Sequence, residues 1–211
     1  MMNVCHKCGA YHADKEIDPA GPYAVCPECG HKHLFRQLPL LTVSGASGAG
    51  KTTIYNQLVG RIDGAVLLDA DILWSKDFDH PEDNYRKYME LWLRICKNIS
   101  QAGQPVVLFG AGTGVPMNIE PCLERRYFSQ IHYLALVCDD KSIADRLKAR
   151  PAWRKSGDPR SISSQLEFNT WFKEESGKLI QHVDLVDTDG VSIEETAEKV
   201  AGWIRDTLAS R

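Results

Sequence analysis

The sequence predicts an α/β fold, a three-layer arrangement with a parallel sheet of about five strands, behind a small cysteine-rich N-terminal unit. Three observations predict it. Short apolar runs of strand type alternate with segments of helical period from residue 40 onward. A glycine-rich turn joins the first of those strands to the first helix. Two Cys-x2-Cys pairs crowd the N-terminus. The 211 residues leave room for one medium domain and an appendage. At 43% hydrophobic and 25% charged, the composition is that of an ordinary soluble globular protein. A formal charge of −3 gives no reason to expect non-specific attraction to nucleic acid or anionic lipid. No apolar run approaches the ~20 residues of a membrane helix, and the N-terminus has no apolar signal-peptide core. Seven cysteines, an odd count, then fit a reducing cytoplasm better than a disulfide framework.

Residues 1–36 read as a separate unit, rich in Cys, His, Gly and Pro, with no amphipathic helix. Cys5 and Cys8 form one pair, Cys26 and Cys29 the other, with seventeen residues between the pairs. Four thiolates so spaced converge on one tetrahedral ion, and zinc is the expected one. Gly9 and Gly30 follow the pairs and suit two tight knuckles. So short a segment buries too little core to fold alone, and metal binding supplies the missing free energy. Two disulfides are the competing reading, which the compartment argues against. His6, His12, His31 and His33 lie nearby, but four sulfurs already close the site, so the zinc reads as structural. The segment resembles a zinc ribbon. Zinc ribbons often bind nucleic acid or protein, yet Lys7, Lys15, Lys32 and Arg36 are balanced here by Asp14, Glu16, Asp18 and Glu28.

Residues 37–211 form the second unit. Residues 40–44 are an apolar strand that leads into Gly45, Ala46, Ser47, Gly48, Ala49, Gly50, Lys51, Thr52 and Thr53, a match to G-x4-G-K-[ST]. The run then continues with helical character, so the motif sits between a buried strand and a helix N-terminus. There, glycines let the backbone curl around an anion and the helix-start amides face it. Lys51 is expected on the β- and γ-phosphates of ATP, and the Thr52 hydroxyl on Mg²⁺.

Further elements follow in order. Residues 65–69 form a second strand. Residues 81–102 form a long helix, with Tyr85, Tyr88, Met89, Trp92, Ile95 and Ile99 at helical spacing. Residues 105–109 form a third strand, 118–127 a weaker helix and 132–138 a fourth strand. Residues 141–150 form a helix capped by Asp140 and stopped by Pro151. A helix over 163–178 and a fifth strand over 183–186 precede a last helix that starts at the box Ser192-x-x-Glu195. Buried strands alternating with helices imply a parallel sheet covered on both faces, with ligands at the carboxyl ends of the strands.

Two features point to phosphoryl transfer, and a third, the loop over residues 186–190 after the last strand, is placed to pack against the adenine, although turn chemistry alone also explains it. Asp69 and Asp71 stand one residue apart at the end of the second strand. Such a pair divides the work of positioning Mg²⁺ and accepting a substrate proton, and the reading favours Asp71 as the base and Asp69 for the metal. Ordinary turn chemistry also places aspartates there. Arg146 and Arg150 share one helix face, with Arg154 in the loop beyond. Mobile arginines of this kind close over a migrating phosphoryl group, although a solvated basic face reads the same way.

On these motifs, residues 40–208 resemble the small P-loop kinases, a group that includes adenylate, shikimate, gluconate, adenylylsulfate and some nucleoside kinases. The resemblance implies a P-loop NTPase fold. It implies an acidic motif after strand two, here Asp69 and Asp71, similar to the Asp-Gly-Asp of adenylylsulfate kinases. It also implies an arginine-bearing lid, here Arg146 to Arg154. An N-terminal zinc ribbon departs from the commonest members, whose zinc, when present, sits in the lid. The expected function is an ATP- and Mg²⁺-dependent phosphotransferase acting on a small hydroxyl or phosphate acceptor, a nucleoside or nucleotide by preference. The alternative is an NTP-hydrolysing regulatory or nucleic-acid-associated protein, including a polynucleotide 5′-kinase, that uses the ribbon as its contact module.

Overall fold

A computed structural model describes residues 2–210. At the N-terminus, β1 (Glu16–Asp18), β2 (Tyr23–Val25) and β3 (Lys32–Leu34) pair as an antiparallel sheet. Two matching knuckles flank it. Gly9 N donates to Cys5 O at 2.7 Å, and Gly30 N donates to Cys26 O at 2.9 Å. Both glycines take left-handed φ, 78° and 67°, as the tight turns require. The apolar core beneath is minimal: Ala24 and Phe35 lie against Tyr127 of the larger unit.

The larger unit is built on β4 (Leu40–Gly45), β5 (Val66–Asp69), β6 (Val106–Phe109), β7 (Ile131–Val137) and β8 (Val183–Asp187). All pair in parallel, in the order β5-β6-β4-β7-β8. The central strands β4, β6 and β7 are buried on both faces, so side chains on alternate sides of the pleat serve two cores. Leu41, Val43, Leu134 and Leu136 pack with α1 (Lys51–Leu58) and α6 (Ile193–Ala209) on one face. Leu40, Val106, Leu108, Tyr133 and Ala135 pack with α2 (Arg86–Gln101) and with Phe172 of α5 (Pro159–Glu175) on the other. The chain leaves β4 for β5 and β6 on one side and returns to β7 and β8 on the other. The carboxyl end of β4 is therefore a switch point, where such sheets open a crevice.

Several local expectations change. The long helix starts at Arg86 rather than residue 81. Pro81–Asp83 form a 3-10 turn, and Asn84 and Tyr85 both take φ 56°, which no α-helix continues through. The weaker helix over 118–127 breaks into α3 (Pro116–Ile119) and a 3-10 turn, Leu123–Tyr127. Pro121 lies between them and cannot donate to the helical ladder. The cap of α4 (Asp140–Lys148) is Asp139, whose carboxylate accepts from Ser142 N at 3.0 Å, one residue before the expected Asp140. The helix expected from 163 begins at Pro159, where Asp158 caps it and proline's fixed φ suits the first turn. Ser192 caps α6 as the box predicted, accepting from Glu195 N at 3.1 Å. Among the described residues no helix is long and apolar enough to cross a membrane.

Candidate functional site

The crevice over β4 is walled by the phosphate-type loop. Gly45 opens that loop with φ 138°, and a Cβ there would stand 2.4 Å from Leu136 O on the neighbouring strand, so only glycine fits. Gly45 and Ala46 are buried behind the loop. Ser47, Gly48, Ala49, Gly50, Lys51, Thr52 and Thr53 line a cleft of about 380 Å³. Lys51 Nζ curls back to donate to Gly45 O at 2.7 Å and Ala46 O at 3.1 Å. Burial lowers its pKa to about 8; Arg150 pushes the same way, while Asp71 and Asp69 oppose. The loop is thus a positively polarised cup of amides around an ammonium group held by carbonyls alone.

Asp71 also lines the cleft. Burial raises its pKa, the nearby Asp69 raises it further, and Lys51, Arg154 and Arg150 hold it down. Asp69 stands differently. Its Oδ1 accepts from Asp71 N at 2.9 Å and so caps the 3-10 turn Ala70–Leu73. From α2, the buried Tyr88 hydroxyl donates to Ala70 O and fixes the same turn. The exposed Thr52 hydroxyl and the Asp69 carboxylate are hard oxygen donors of the type Mg²⁺ selects.

Arg146, Arg150 and Arg154 all reach the cleft. Arg146 donates to Gly48 O at 2.9 Å, so from α4 it braces the loop. Arg150 follows α4, and Arg154 ends the 3-10 turn Ala152–Arg154 with its guanidinium 5.3 Å from the exposed Trp153 ring. Burial and the Arg154 charge both lower the pKa of Arg150. Thr188, Val191, Ile193 and Thr196 complete the lining of the cleft.

Other residues of interest fall elsewhere. Arg125 pairs with Glu120 at 2.8 Å, and Arg126 donates to Asp14 O at 3.0 Å, so both are structural ties. Gly114 packs where a Cβ would stand 2.2 Å from Ser44 Cβ, so the glycine-rich run after β6 serves close approach to β4. Tyr88 and Trp92 are buried core, whereas Trp74 is 46% exposed beyond the Asp71 turn. Cys96, Cys122 and Cys138 are buried, and burial pushes the first two up to about 12.

In the N-terminal unit, Cys5 Sγ lies 3.7 Å from Cys29 Sγ, and Cys8 Sγ lies 3.8 Å from Cys26 Sγ. All four sulfurs fall within 4.8 Å of one another. A disulfide needs about 2.05 Å. A tetrahedron of sulfurs about 2.3 Å from zinc has an edge of about 3.8 Å. The spacing fits the ion and not the covalent bond.

No protein-family model matches the chain, and no curated protein matches it. Solved structures do. A sugar kinase from Janibacter sp. is 19% identical with a TM-score of 0.58, covering 80% of this chain and 95% of its own. The tunicamycin resistance protein of Deinococcus radiodurans is 17% identical with a TM-score of 0.57, covering 80% and 96%. A gluconokinase from Sinorhizobium meliloti is 17% identical with a TM-score of 0.53, covering 82% and 97%. The chain has the fold of the small P-loop kinases. Within that fold, one contact of the loop escaped the sequence reading, and a second comes from the turn over residues 186–190 that the sequence had placed near the nucleotide. Gln165 Oε1, on α5, accepts from Ser47 N at 2.6 Å, and Thr188 Oγ1 donates to Ala49 O at 3.4 Å. Gln165 carries no motif; a glutamine on a helix is unremarkable until the fold brings it to the loop.

Proposed function

We propose that the protein is an ATP-dependent phosphotransferase that moves the γ-phosphoryl group to a hydroxyl of a small molecule. One observation carries the reading: the P-loop, Lys51, Asp71 and three arginines face a single cleft at the carboxyl end of a parallel sheet. The amides of residues 45–53 and the Lys51 ammonium hold the polyphosphate. Thr52 and Asp69 would hold Mg²⁺ through their oxygens, and the ion would supply positive charge to offset that of the polyphosphate. Asp71 orients the acceptor hydroxyl and takes its proton as the new P–O bond forms and the bond to the ADP oxygen breaks. Arg150 and Arg154 balance the charge spreading over the transferred group and keep water out. Four cysteines hold one structural zinc in a ribbon over residues 1–36, and residues 37–211 form the kinase unit.

A nucleoside or nucleotide acceptor is supported by Trp74, an exposed ring beyond the Asp71 turn on which a base stacks. Structural neighbours are named for sugar and gluconate, so the acceptor panel spans both chemistries. The test is ADP release from Mg·ATP over nucleosides, nucleotides, sugars, hydroxy acids and hydroxyl-bearing antibiotics. ADP should appear with one acceptor class and fall by about 10²-fold or more in Asp71→Asn, with ATP affinity nearly unchanged. Hydrolysis that needs no acceptor and is stimulated by DNA or RNA would replace this reading with a nucleic-acid-associated NTPase.

A further inference from the structure

The four-sulfur centre leaves four histidines unused, and the ribbon gathers three of them. His6 lies inside the first knuckle, His31 just past the second, and His33 on β3. Their ring centroids are 4.5 to 4.8 Å apart, and each pair meets edge-on at 78° to 87°. One ring nitrogen from each lies within 4.8 Å of the others. His6 Nε2 and His31 Nε2 are 3.0 Å apart. Nitrogens about 2.0–2.1 Å from a tetrahedral zinc stand about 3.3 Å from one another. His33 supplies the decisive detail. Its side chain is only 5% exposed, and its Nε2 is buried with no hydrogen-bond partner among the described residues. A buried ring nitrogen without a partner is costly, and a cation held in common with two neighbouring imidazoles satisfies its lone pair.

We propose that His6, His31 and His33 bind a second divalent transition-metal ion, with zinc as the reference ligand, beside the four-cysteine centre. Four thiolates around one dication carry a net charge of about −2, which favours a neighbouring cation. Three nitrogen ligands leave a fourth position for water, so this ion exchanges where the four-sulfur ion does not. His6 is exposed and gives the ion its way in from solvent.

Metal content of the full chain, dialysed with zinc and then freed of loose ions, tests this. The wild type should hold two zinc ions per chain and His6→Gln/His31→Gln one. Cobalt titration separates the sites: the first equivalent should bring sulfur-to-metal charge-transfer bands, the second only nitrogen-type d–d bands. Loss of the second equivalent alone in the variant supports the site. One ion in the wild type, or two in the variant, overturns it. Should the variant lose both ions, the wild-type spectrum decides: sulfur bands in the second equivalent, or no second equivalent, overturn the proposal.

Discussion

Lys51 is the residue on which the cleft's electrostatics turn. Its ammonium donates to Gly45 O and Ala46 O, and burial lowers its pKa to about 8. A bound polyphosphate favours the charged form, so binding couples to a proton. Below about pH 8 the ammonium is already charged; as pH rises past that value, affinity should fall, approaching tenfold per pH unit. A competition assay with a fluorescent nucleotide between pH 7 and 9.5 reads this directly. In Lys51→Arg the guanidinium stays charged, so its affinity, though weaker, should be flat over the same range; a wild-type profile equally flat would contradict the coupling. Asp71 and Asp69 were visible in the sequence as a pair, and one hydrogen bond sets them apart in the structure. Asp69 spends an oxygen on Asp71 N, and that leaves Asp71 to face the cleft.

At the scale of elements, the tightest constraint is the passage from β4 into the loop. Gly45→Ala adds a methyl 2.4 Å from Leu136 O at φ 138°. Unfolding in urea should show a loss of about 2 kcal/mol or more, and nucleotide binding should weaken with it. Stability within about 0.5 kcal/mol of the wild type would contradict the fit. The strand, the loop and the capped α6 were legible because their signals are local: buried apolar runs, glycines at fixed spacing, and a Ser–Glu box. The start of α2 was not. Its helical period extends back past Tyr85, but Tyr85 N bonds His80 O and the residue turns left-handed, its ring 6.1 Å from Trp74. Tertiary contacts chose that conformation, and no periodicity reports them. The break at Pro121 is a local signal that the sequence carries and that the expected helix over 118–127 overlooked.

At the scale of the whole molecule, the N-terminal unit is not tethered by a loose linker. Lys97 and Glu124 form a buried ion pair at the seam; Lys97 also donates to Asn3 Oδ1 at 2.7 Å and lies 4.3 Å from the Tyr127 ring centroid. The Tyr127 hydroxyl donates to Ala13 O at 2.7 Å, and Arg94 reaches the same Glu124 at 3.0 Å. Lys97, Glu124 and Arg94 carry no sequence signal, because each reads as a surface charge until the two units meet. Glu124→Gln leaves Lys97 buried without its counter-charge and should cost about 3–5 kcal/mol by chemical unfolding; a loss under about 1 kcal/mol would mean the seam is wet and loose. The central claim is that the loop over β4 grips the polyphosphate of Mg·ATP, with the Lys51 ammonium as its charged clasp. Titrating Mg·ATP calorimetrically into the wild type and into Lys51→Ala tests it most directly. The account predicts one saturable site per chain in the wild type, weakened at least tenfold in the variant. No heat of binding in a folded wild type, or equal affinity in both proteins, would contradict it.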